Sequence, residues 1–196
     1  MSRVKRINIL VTGTPGCGKT FLCQRLKEDR SDLFSHHIEV GAYAKEREFI
    51  DSYDEERDTH VLDEDKLLDD LENIVGRDHR LHGELVESDV TNPEKGVIID
   101  CHSSDWFPER WIDLVVILRA SIEVLSERLS KRDYPDRKIQ ENLEAEIMQV
   151  SADEARESYS KVSILEFTSD SMSQFEDNFK AISEELDRLA DKRKYS

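Results

Sequence analysis

Residues 13–20 read Gly-Thr-Pro-Gly-Cys-Gly-Lys-Thr and satisfy the pattern G-x-x-x-x-G-K-[ST] at every defined position. An apolar, β-branched run at residues 7–11 precedes this segment, and an amphipathic pattern that includes Leu22 and Leu26 follows it. A strand, a glycine-rich turn and a helix in this order are typical of a phosphate-binding loop, whereas a chance turn requires neither the Lys-Thr pair nor the strand. The segment therefore predicts an α/β fold that binds a nucleotide.

The residue types in this loop each suit phosphate binding. Gly13, Gly16 and Gly18 let the backbone fold around phosphates, and the loop N–H groups and the helix dipole hold the anion. Lys19 is expected to reach the β and γ oxygens, and the hydroxyl of Thr20 is expected to face Mg²⁺.

Five apolar runs alternate with helical patterns, which predicts a parallel sheet flanked by helices. The runs are residues 7–11, 38–40, 97–99, 114–118 and 162–167. Right-handed crossovers would bring the loops that follow these strands to one edge of the sheet, where ligands of such sheets bind. Outside the sheet, we expect a helix at 64–75, an exposed polar loop at 76–95, a terminal helix at 172–190 and a frayed tail at 191–196.

The composition limits the class of protein. A length of 196 residues fits a single domain. With 28 Lys and Arg against 44 Asp and Glu, the net charge of −16 argues against direct, broad binding to nucleic acid, so that an RNA-related role should run through a protein partner. Acidity that serves solubility alone is the alternative. Three cysteines without a C-x-x-C pair indicate reduced thiols, and the run at 7–11 is too short for a signal sequence or membrane span.

A second group of candidate residues follows the run at 97–99. Asp100 ends that strand, where proteins with a phosphate-binding loop place the acidic residue of the Mg²⁺ shell. His102 should face the same side as Asp100, and it could orient water, accept a proton or cap the turn. An exposed aromatic residue beside Arg110 would suit stacking on a base and pairing with a phosphate, although Phe107 and its aromatic neighbours suit core packing equally well.

Two arginines are candidates for a lid. Arg128 and Arg132 are four residues apart on a predicted helix, and therefore on one face. Surface ion pairing is the simplest interpretation. In an acidic chain, however, a cationic cluster just before residues 133–135 is placed where a lid for phosphoryl transfer would need a guanidinium, and Arg132 is the first choice.

Together these motifs resemble the adenylate kinase isoenzyme 6 family, also called coilin-interacting nuclear ATPases. The loop has the Gly-x-Pro-Gly-x-Gly-Lys form of nucleoside monophosphate kinases, and Asp100-x-His102 followed by residues 107–111 matches the isoenzyme 6 type. Residues 53–56, 62–65 and 127–134 provide further matches. The resemblance implies a P-loop core with a five-stranded parallel sheet flanked by helices, a lobe for a nucleoside monophosphate (NMP) near residues 39–62, and a short lid near 131–141.

The resemblance also implies ATP and Mg²⁺ as ligands, adenylate kinase and ATPase activity, and maturation of the small ribosomal subunit through a ribosomal protein. It implies a monomer in nucleus and cytoplasm, mainly nuclear. The catalytic residues expected are Lys19, Asp100, His102 and Arg132, with Thr20 and Asp100 toward the metal. The residues expected to bind ATP are Gly13, Gly16, Cys17, Gly18, Lys19, Thr20, Phe21, Arg128 and Arg132. The residues expected to bind the NMP are Gly41, Lys45, Arg47, Phe107 and Arg110.

Two departures and three functions remain open at this point. The region at 76–95 is longer than the family pattern needs, and its polarity fits either a passive surface loop or a contact for a partner. The family's Val-Gly-Asp is replaced by Val40-Gly41-Ala42, so a carboxylate is missing. A kinase is favoured by Lys45 and Arg47, which suit a second phosphate site. An ATPase switch that remodels a protein partner is favoured by the short lid, which would exclude water poorly, and by the acidic surface. A kinase for another small metabolite is the third alternative.

Overall fold

The computed structural model describes residues 6–54, 59–75, 95–132 and 134–194. Seven strands occur in these ranges: β1 Ile9–Thr12, β2 Phe34–Glu39, β3 Ile50–Asp54, β4 Thr59–Leu62, β5 Gly96–Asp100, β6 Leu114–Arg119 and β7 Ser163–Thr168. Seven α-helices accompany them: α1 Lys19–Asp29, α2 Val40–Glu46, α3 Glu64–Val75, α4 Ile122–Ser130, α5 Asp136–Ile147, α6 Val150–Ser158 and α7 Met172–Lys194. The predicted loop at 76–95 lies outside these ranges except for its last residue.

The central sheet is parallel and has the order β2-β5-β1-β6-β7. Every residue of β1 and β5 is buried, as the continuous apolar runs predict for strands covered on both faces. Strand β1 pairs with both β5 and β6, so the loop after β1 lies at the middle of the sheet edge. The predicted α/β fold with a five-stranded parallel sheet is confirmed.

Helices cover both faces of the sheet. On one face α1, α4 and α7 bury residues such as Leu22, Leu125 and Ile182. On the other face α2, α3 and α6 bury residues such as Leu67 and Ala155. The two layers hold the strands rigidly, so that the loops at their carboxyl ends project from a fixed frame.

Within the range 39–62, predicted as a lobe, the described residues include α2 and the antiparallel pair of strands β3 and β4. Strand β3 is mostly exposed, and the sequence did not indicate it because polar residues occupy most of its positions. The last turn of the lobe joins α3 through Asp63, whose side chain accepts a hydrogen bond from the N–H of Lys66.

Two predictions about helix ends are wrong. Helix α4 ends at Ser130, so Arg132 lies in the following turn, where its N–H donates to the carbonyl of Leu129 at 3.0 Å. Helix α7 continues to Lys194 where a frayed tail was expected. The guanidinium of Arg193 holds this end by pairing with Asp113. None of the helices within the described ranges is long and apolar enough to span a membrane.

Candidate nucleotide site

The loop between β1 and α1 has a backbone that only glycine adopts readily. Gly13, Gly16 and Gly18 have positive φ angles of 139°, 99° and 95°. A Cβ atom at Gly13 would lie 2.1 Å from the carbonyl oxygen of Leu118, so a side chain cannot fit there. Gly18 is the residue before α1, and the loop therefore presents its amides at the positive end of the helix dipole.

Lys19 folds back over this loop. Its Nζ donates to the carbonyl oxygens of Gly13 at 2.7 Å and of Thr14 at 3.3 Å. The ammonium group is thus held at the mouth of the loop, within reach of an anion that the loop amides would bind.

The carboxylate of Asp100 lies beside the start of α1. Thr20 Oγ1 donates to Asp100 Oδ2 at 2.7 Å, and Asp100 is buried. A hydroxyl and a carboxylate are the hard oxygen ligands that Mg²⁺ prefers, and Mg²⁺ keeps several waters when so few protein oxygens bind it. Thr20 and Asp100 therefore fit the metal that the sequence motif implies.

A cavity of about 220 Å³, here called the inner cavity, opens between the loop and α2. Its walls combine charged groups of the loop and sheet edge with two aromatic rings. The lining residues are Pro15, Lys19, Thr20, Glu39, Val40, Gly41, Leu62, Asp100, Cys101, His102, Trp106, Arg132 and Tyr134.

A cavity of about 510 Å³, the outer cavity, lies on the other side of the loop, between α4 and α7. Its most exposed ring is Phe21, whose centroid is 4.7 Å from that of Phe175. The lining residues are Gly16, Gly18, Phe21, Arg128, Lys131, Arg132, Ser169, Asp170, Ser171, Met172 and Phe175.

The two predicted lid arginines occupy different environments. Arg128 donates to three backbone carbonyls: those of Gly16 at 3.3 Å, Ser169 at 2.8 Å and Asp170 at 3.2 Å. Its guanidinium therefore holds the phosphate loop against the loop after β7. Arg132 is exposed and lines both cavities, so its side chain borders the two spaces that the loop separates.

His102 lines the inner cavity, on the same side as Asp100, as the alternation of side chains suggested. Its carbonyl accepts from Thr12 Oγ1 at 3.2 Å, which fixes the turn after β5. Desolvation in the cleft and the positive charge of Lys19 lower the pKa of His102, whereas Asp100 acts in the opposite direction. The ring is therefore neutral near pH 7 and can accept a proton or orient water.

Several residues predicted for the NMP site do not line the inner cavity. Phe107 is only 3% exposed and packs in the core, whereas its neighbour Trp106 reaches the cavity. Arg110 is exposed and pairs with Glu72 at 3.1 Å. Lys45 and Arg47 are exposed at the end of α2, outside the cavity wall. Cys17 also turns a fully buried side chain away from the site, so only its backbone can serve the loop.

The structure adds wall residues that the sequence did not reveal. Glu39 Oε2 accepts a hydrogen bond from the N–H of Ala42 at 3.0 Å, and Glu39 lines the inner cavity. A carboxylate therefore lies beside Ala42, the position at which the family pattern has Asp. Residues 169–172, which line the outer cavity, follow β7. The sequence could have indicated them, because loops that follow parallel strands lie at the same edge of the sheet.

A buried carboxylate connects the phosphate loop to α5. Glu146 in α5 is 3% exposed and accepts from Thr14 Oγ1 at 2.5 Å and from Arg119 Nε at 2.5 Å. Arg119 also donates to Glu166 at 3.2 Å. The ion pair between Arg119 and Glu146 holds α5 at the end of β6, and the hydrogen bond from Thr14 holds it against the phosphate loop.

Comparison with known proteins identifies similar chains. Residues 9–149 match a family model described as an AAA domain. The adenylate kinase isoenzyme 6 homolog of Dictyostelium discoideum is 39% identical over 177 residues, which cover 90% of each chain. The homolog of the same name from Caenorhabditis elegans is 41% identical over 180 residues, which cover 92% of this chain and 89% of that one.

Solved structures of small kinases share the fold. A gluconokinase from Sinorhizobium meliloti has a TM-score of 0.51 at 18% identity, covering 95% of this chain and 98% of that one. Shikimate kinase from Bacteroides thetaiotaomicron has a TM-score of 0.56 at 19% identity, covering 92% of this chain and 98% of that one. Shikimate kinase from Aquifex aeolicus has a TM-score of 0.53 at 18% identity, covering 94% and 98%. At such identities the likeness shows the arrangement of helices and strands only.

Proposed function

This chain belongs to the adenylate kinase isoenzyme 6 family, and on that premise we propose that it is a Mg²⁺-dependent nucleoside monophosphate kinase that transfers a phosphoryl group from ATP to AMP. The observation that carries the proposal is the pair of cavities on either side of one phosphate-binding loop. A phosphoryl transfer between two nucleotides needs a donor site and an acceptor site that meet at the transferred group.

The outer cavity suits the base and ribose of ATP. Phe21 is 51% exposed and offers a ring face for stacking, and Phe175 supports it from below. The triphosphate would then follow the loop amides toward Lys19, as in other proteins with this motif. The inner cavity suits the acceptor, since it adjoins Lys19 and offers the rings of Trp106 and Tyr134.

The residues between the cavities stabilise charge during transfer. Lys19 exchanges its carbonyl contacts for phosphate oxygens, and Arg132 closes over the transferred group. Mg²⁺ held by Thr20 and Asp100 would neutralise charge on the phosphates and template the attack. Because Arg128 is engaged by three carbonyls, its role is to fix the loop, and Arg132 is the catalytic arginine.

The same site also supports hydrolysis, and we propose ATPase activity beside the kinase reaction. His102 is neutral and lines the proposed acceptor cavity, so it is placed to orient a water molecule that enters in place of AMP. Its carbonyl accepts from Ser151 of α6 at 3.4 Å, and beside Ser151 the apolar side chains of Ile147, Met148 and Val150 are exposed. A protein that bound these side chains would contact the element next to His102.

That arrangement supports the further proposal that hydrolysis is coupled to a protein partner. The partner suggested by the family resemblance is a small-subunit ribosomal protein, and small-subunit rRNA maturation is then the process served, mainly in the nucleus. A net charge of −16 favours contact with a basic protein over direct binding to RNA. The alternative is an ATPase switch with negligible kinase activity.

One assay separates the alternatives. ADP formed per ATP consumed is measured with Mg²⁺ as AMP is raised, and shikimate and gluconate serve as other acceptors. A kinase gives close to two ADP per ATP, since one phosphoryl group goes to AMP instead of water. A yield fixed at one ADP per ATP at every AMP concentration would leave the ATPase alone. Phosphorylation of shikimate or gluconate in preference to AMP would contradict the proposed acceptor.

A further inference from the structure

Three side chains of different chemical type converge beneath the phosphate loop. Cys23 lies in α1, His37 in β2 and Asp100 at the end of β5. One ligand atom from each, a sulfur, a ring nitrogen and a carboxylate oxygen, lies within 4.8 Å of the other two. The distance from His37 Nε2 to Asp100 Oδ2 is 3.4 Å.

The nitrogen of this cluster lacks a hydrogen bond. His37 Nε2 is covered by protein and has no hydrogen-bond partner among the described residues, because its approach to Asp100 has poor geometry for one. A buried polar atom without a partner costs free energy, typically about 1–3 kcal/mol. A ligand at the centre of the cluster would give this nitrogen a partner.

The donor set indicates which ligand fits. Thiolate, imidazole and carboxylate together are ligands of Zn²⁺ and similar transition metals, whereas Mg²⁺ takes oxygen alone. Bonds of about 2.0–2.3 Å place the ligand atoms of tetrahedral Zn²⁺ roughly 3.3–3.8 Å apart. The observed separations, all within 4.8 Å, need a closure of about 1.5 Å at most to reach these distances.

We propose that Cys23, His37 and Asp100 form a binding site for Zn²⁺ or a similar transition-metal ion, and that an ion bound there inhibits phosphoryl transfer by withdrawing Asp100 from Thr20. The inhibitory part rests on the proposed kinase function, and the binding part does not. On binding, bonds form from the metal to sulfur, nitrogen and oxygen, and the thiol proton leaves to solvent. No electron is transferred.

Competition follows from the position of Asp100. The Oδ2 atom that faces His37 also accepts the hydrogen bond from Thr20 at 2.7 Å. A transition-metal ion that takes this oxygen removes it from the pair that fits Mg²⁺. Desolvation raises the pKa of the Cys23 thiol, so the sulfur stays protonated until a metal displaces the proton.

Asp100 belongs both to the cluster and to the wall of the inner cavity, so we expect an ion to enter from that cavity. Cys23 is fully buried, but Asp100 and Thr20 line that cavity and connect it to the cluster. A nucleotide with Mg²⁺ bound at the loop would close this route. We therefore expect nucleotide to slow or prevent occupation of the cluster.

The first experiment tests binding without any enzyme assay. Co²⁺ is added to the full-length, nucleotide-free protein, and its absorption is recorded for the thiolate-to-cobalt charge-transfer band in the near ultraviolet. We expect the band in the wild type and its loss in Cys23→Ser and Cys23→Ala. His37→Phe should weaken Co²⁺ affinity about tenfold or more.

Matched controls come from neighbouring residues of the same type. Cys101→Ser removes another buried thiol outside the cluster, and His36→Phe changes the residue beside His37 in β2. Both should keep the band, and far-ultraviolet circular dichroism checks that each variant is folded. Absence of the band in the wild type, or its persistence in folded Cys23→Ser and Cys23→Ala proteins, would overturn the site.

The second experiment tests inhibition, with free Zn²⁺ fixed by a metal buffer. We expect Zn²⁺ to reduce AMP-dependent ADP formation, with a half-inhibitory concentration that rises as Mg²⁺·ATP is raised. The half-inhibitory concentration should increase at least about tenfold in Cys23→Ser, measured against the uninhibited rate of that variant. Equal inhibition of wild type and Cys23→Ser would overturn the inhibitory role. A chain that made no ADP under any condition would refute the kinase, while the cobalt spectrum would still decide the metal site.

Discussion

Lys19 contacts the protein only through carbonyl oxygens of its own loop in the hydrogen bonds described, so its removal should leave the fold intact. We expect Lys19→Ala to reduce ADP formation roughly 100-fold or more, because the main cation at the transferred phosphate is lost. Circular dichroism should be unchanged, and Lys66→Ala, which removes an exposed lysine paired with Asp63, should keep full activity. Wild-type turnover by a folded Lys19→Ala protein would contradict the assignment of the loop.

Asp100 is assigned to the metal, and this predicts a specific defect. Asp100→Asn should raise the Mg²⁺ concentration at half-maximal rate while nucleotide binding without metal changes less, since Asp100 would hold the metal together with Thr20. Titration of activity with Mg²⁺ and of binding with a fluorescent nucleotide measures the two effects. Asp105→Asn, an exposed residue of the same turn region, is the control. An unchanged Mg²⁺ midpoint and maximal rate would reduce Asp100 to a structural residue.

A substitution at His102 would show whether ATP hydrolysis and transfer to AMP differ in their need for an oriented water molecule. His102→Gly should impair ATP hydrolysis more than AMP-dependent ADP formation, because transfer to AMP requires no oriented water. Rates of both reactions are compared with those of Ser103→Gly in the same turn. Equal loss of both activities, with a lower unfolding temperature, would show that His102 only supports the turn after β5.

Among the helices, strands and loops, the sequence predicted the buried strands but not which loop side chains face the site. Strands such as β5 and β6 are apolar at nearly every position because both faces are covered, and their short length and β-branched residues distinguish them from a buried helix. Loops offer no such periodicity. Trp106 and Phe107 lie between β5 and β6 outside any helix or strand, so no periodicity indicates which ring faces the cavity. The sequence favoured Phe107, whereas Trp106 lines the cavity and Phe107 is buried.

The predicted lid arginines also depended on structure that the sequence does not reveal. A spacing of four residues places Arg128 and Arg132 together only if the helix continues, and α4 ends at Ser130. The buried contacts of Glu146 were also beyond prediction, since Arg119, Thr14 and Glu146 come from distant parts of the chain. Conversely, the loop residues 13–20 could be assigned from sequence because all the contacts that define the motif are local.

Helix α5 supplies an element-scale prediction. Glu146→Ala should lower the free energy of unfolding by about 2 kcal/mol or more, because it removes a buried partner from Arg119 and Thr14. Urea unfolding measures the change. Glu141→Ala, in the same helix, breaks an exposed pair with Arg137 and should cost only about 0.5 kcal/mol. Equal losses in the two variants would contradict a structural tie between α5 and the loop.

In the whole molecule, two cavities flank one loop and share one lining arginine, Arg132, and we have proposed that each binds a nucleotide. A single compound with two adenosines joined by five phosphates should therefore fill both cavities at once. We expect it to raise the unfolding temperature more than ATP and AMP do together at equal concentrations, because the second half binds intramolecularly.

Arg132 provides the internal check on that result. In Arg132→Ala the extra rise in unfolding temperature should shrink, while the rise caused by AMP alone should change less. Differential scanning fluorimetry compares the ligands on both proteins. If the compound with two adenosines raised the unfolding temperature no more than ATP alone, the two cavities would not be occupied together.

The close packing of the phosphate loop decides how its mutations should be interpreted. A side chain at Gly13 collides with the backbone of Leu118, and one at Gly16 would lie 2.8 Å from Leu125 Cδ1. Such replacements damage the frame before any nucleotide arrives, so inactive glycine variants say little about phosphate recognition. In a library of random variants, proteins substituted at Gly13 should have low cellular abundance. Proteins substituted at Lys19 should have normal abundance but no activity.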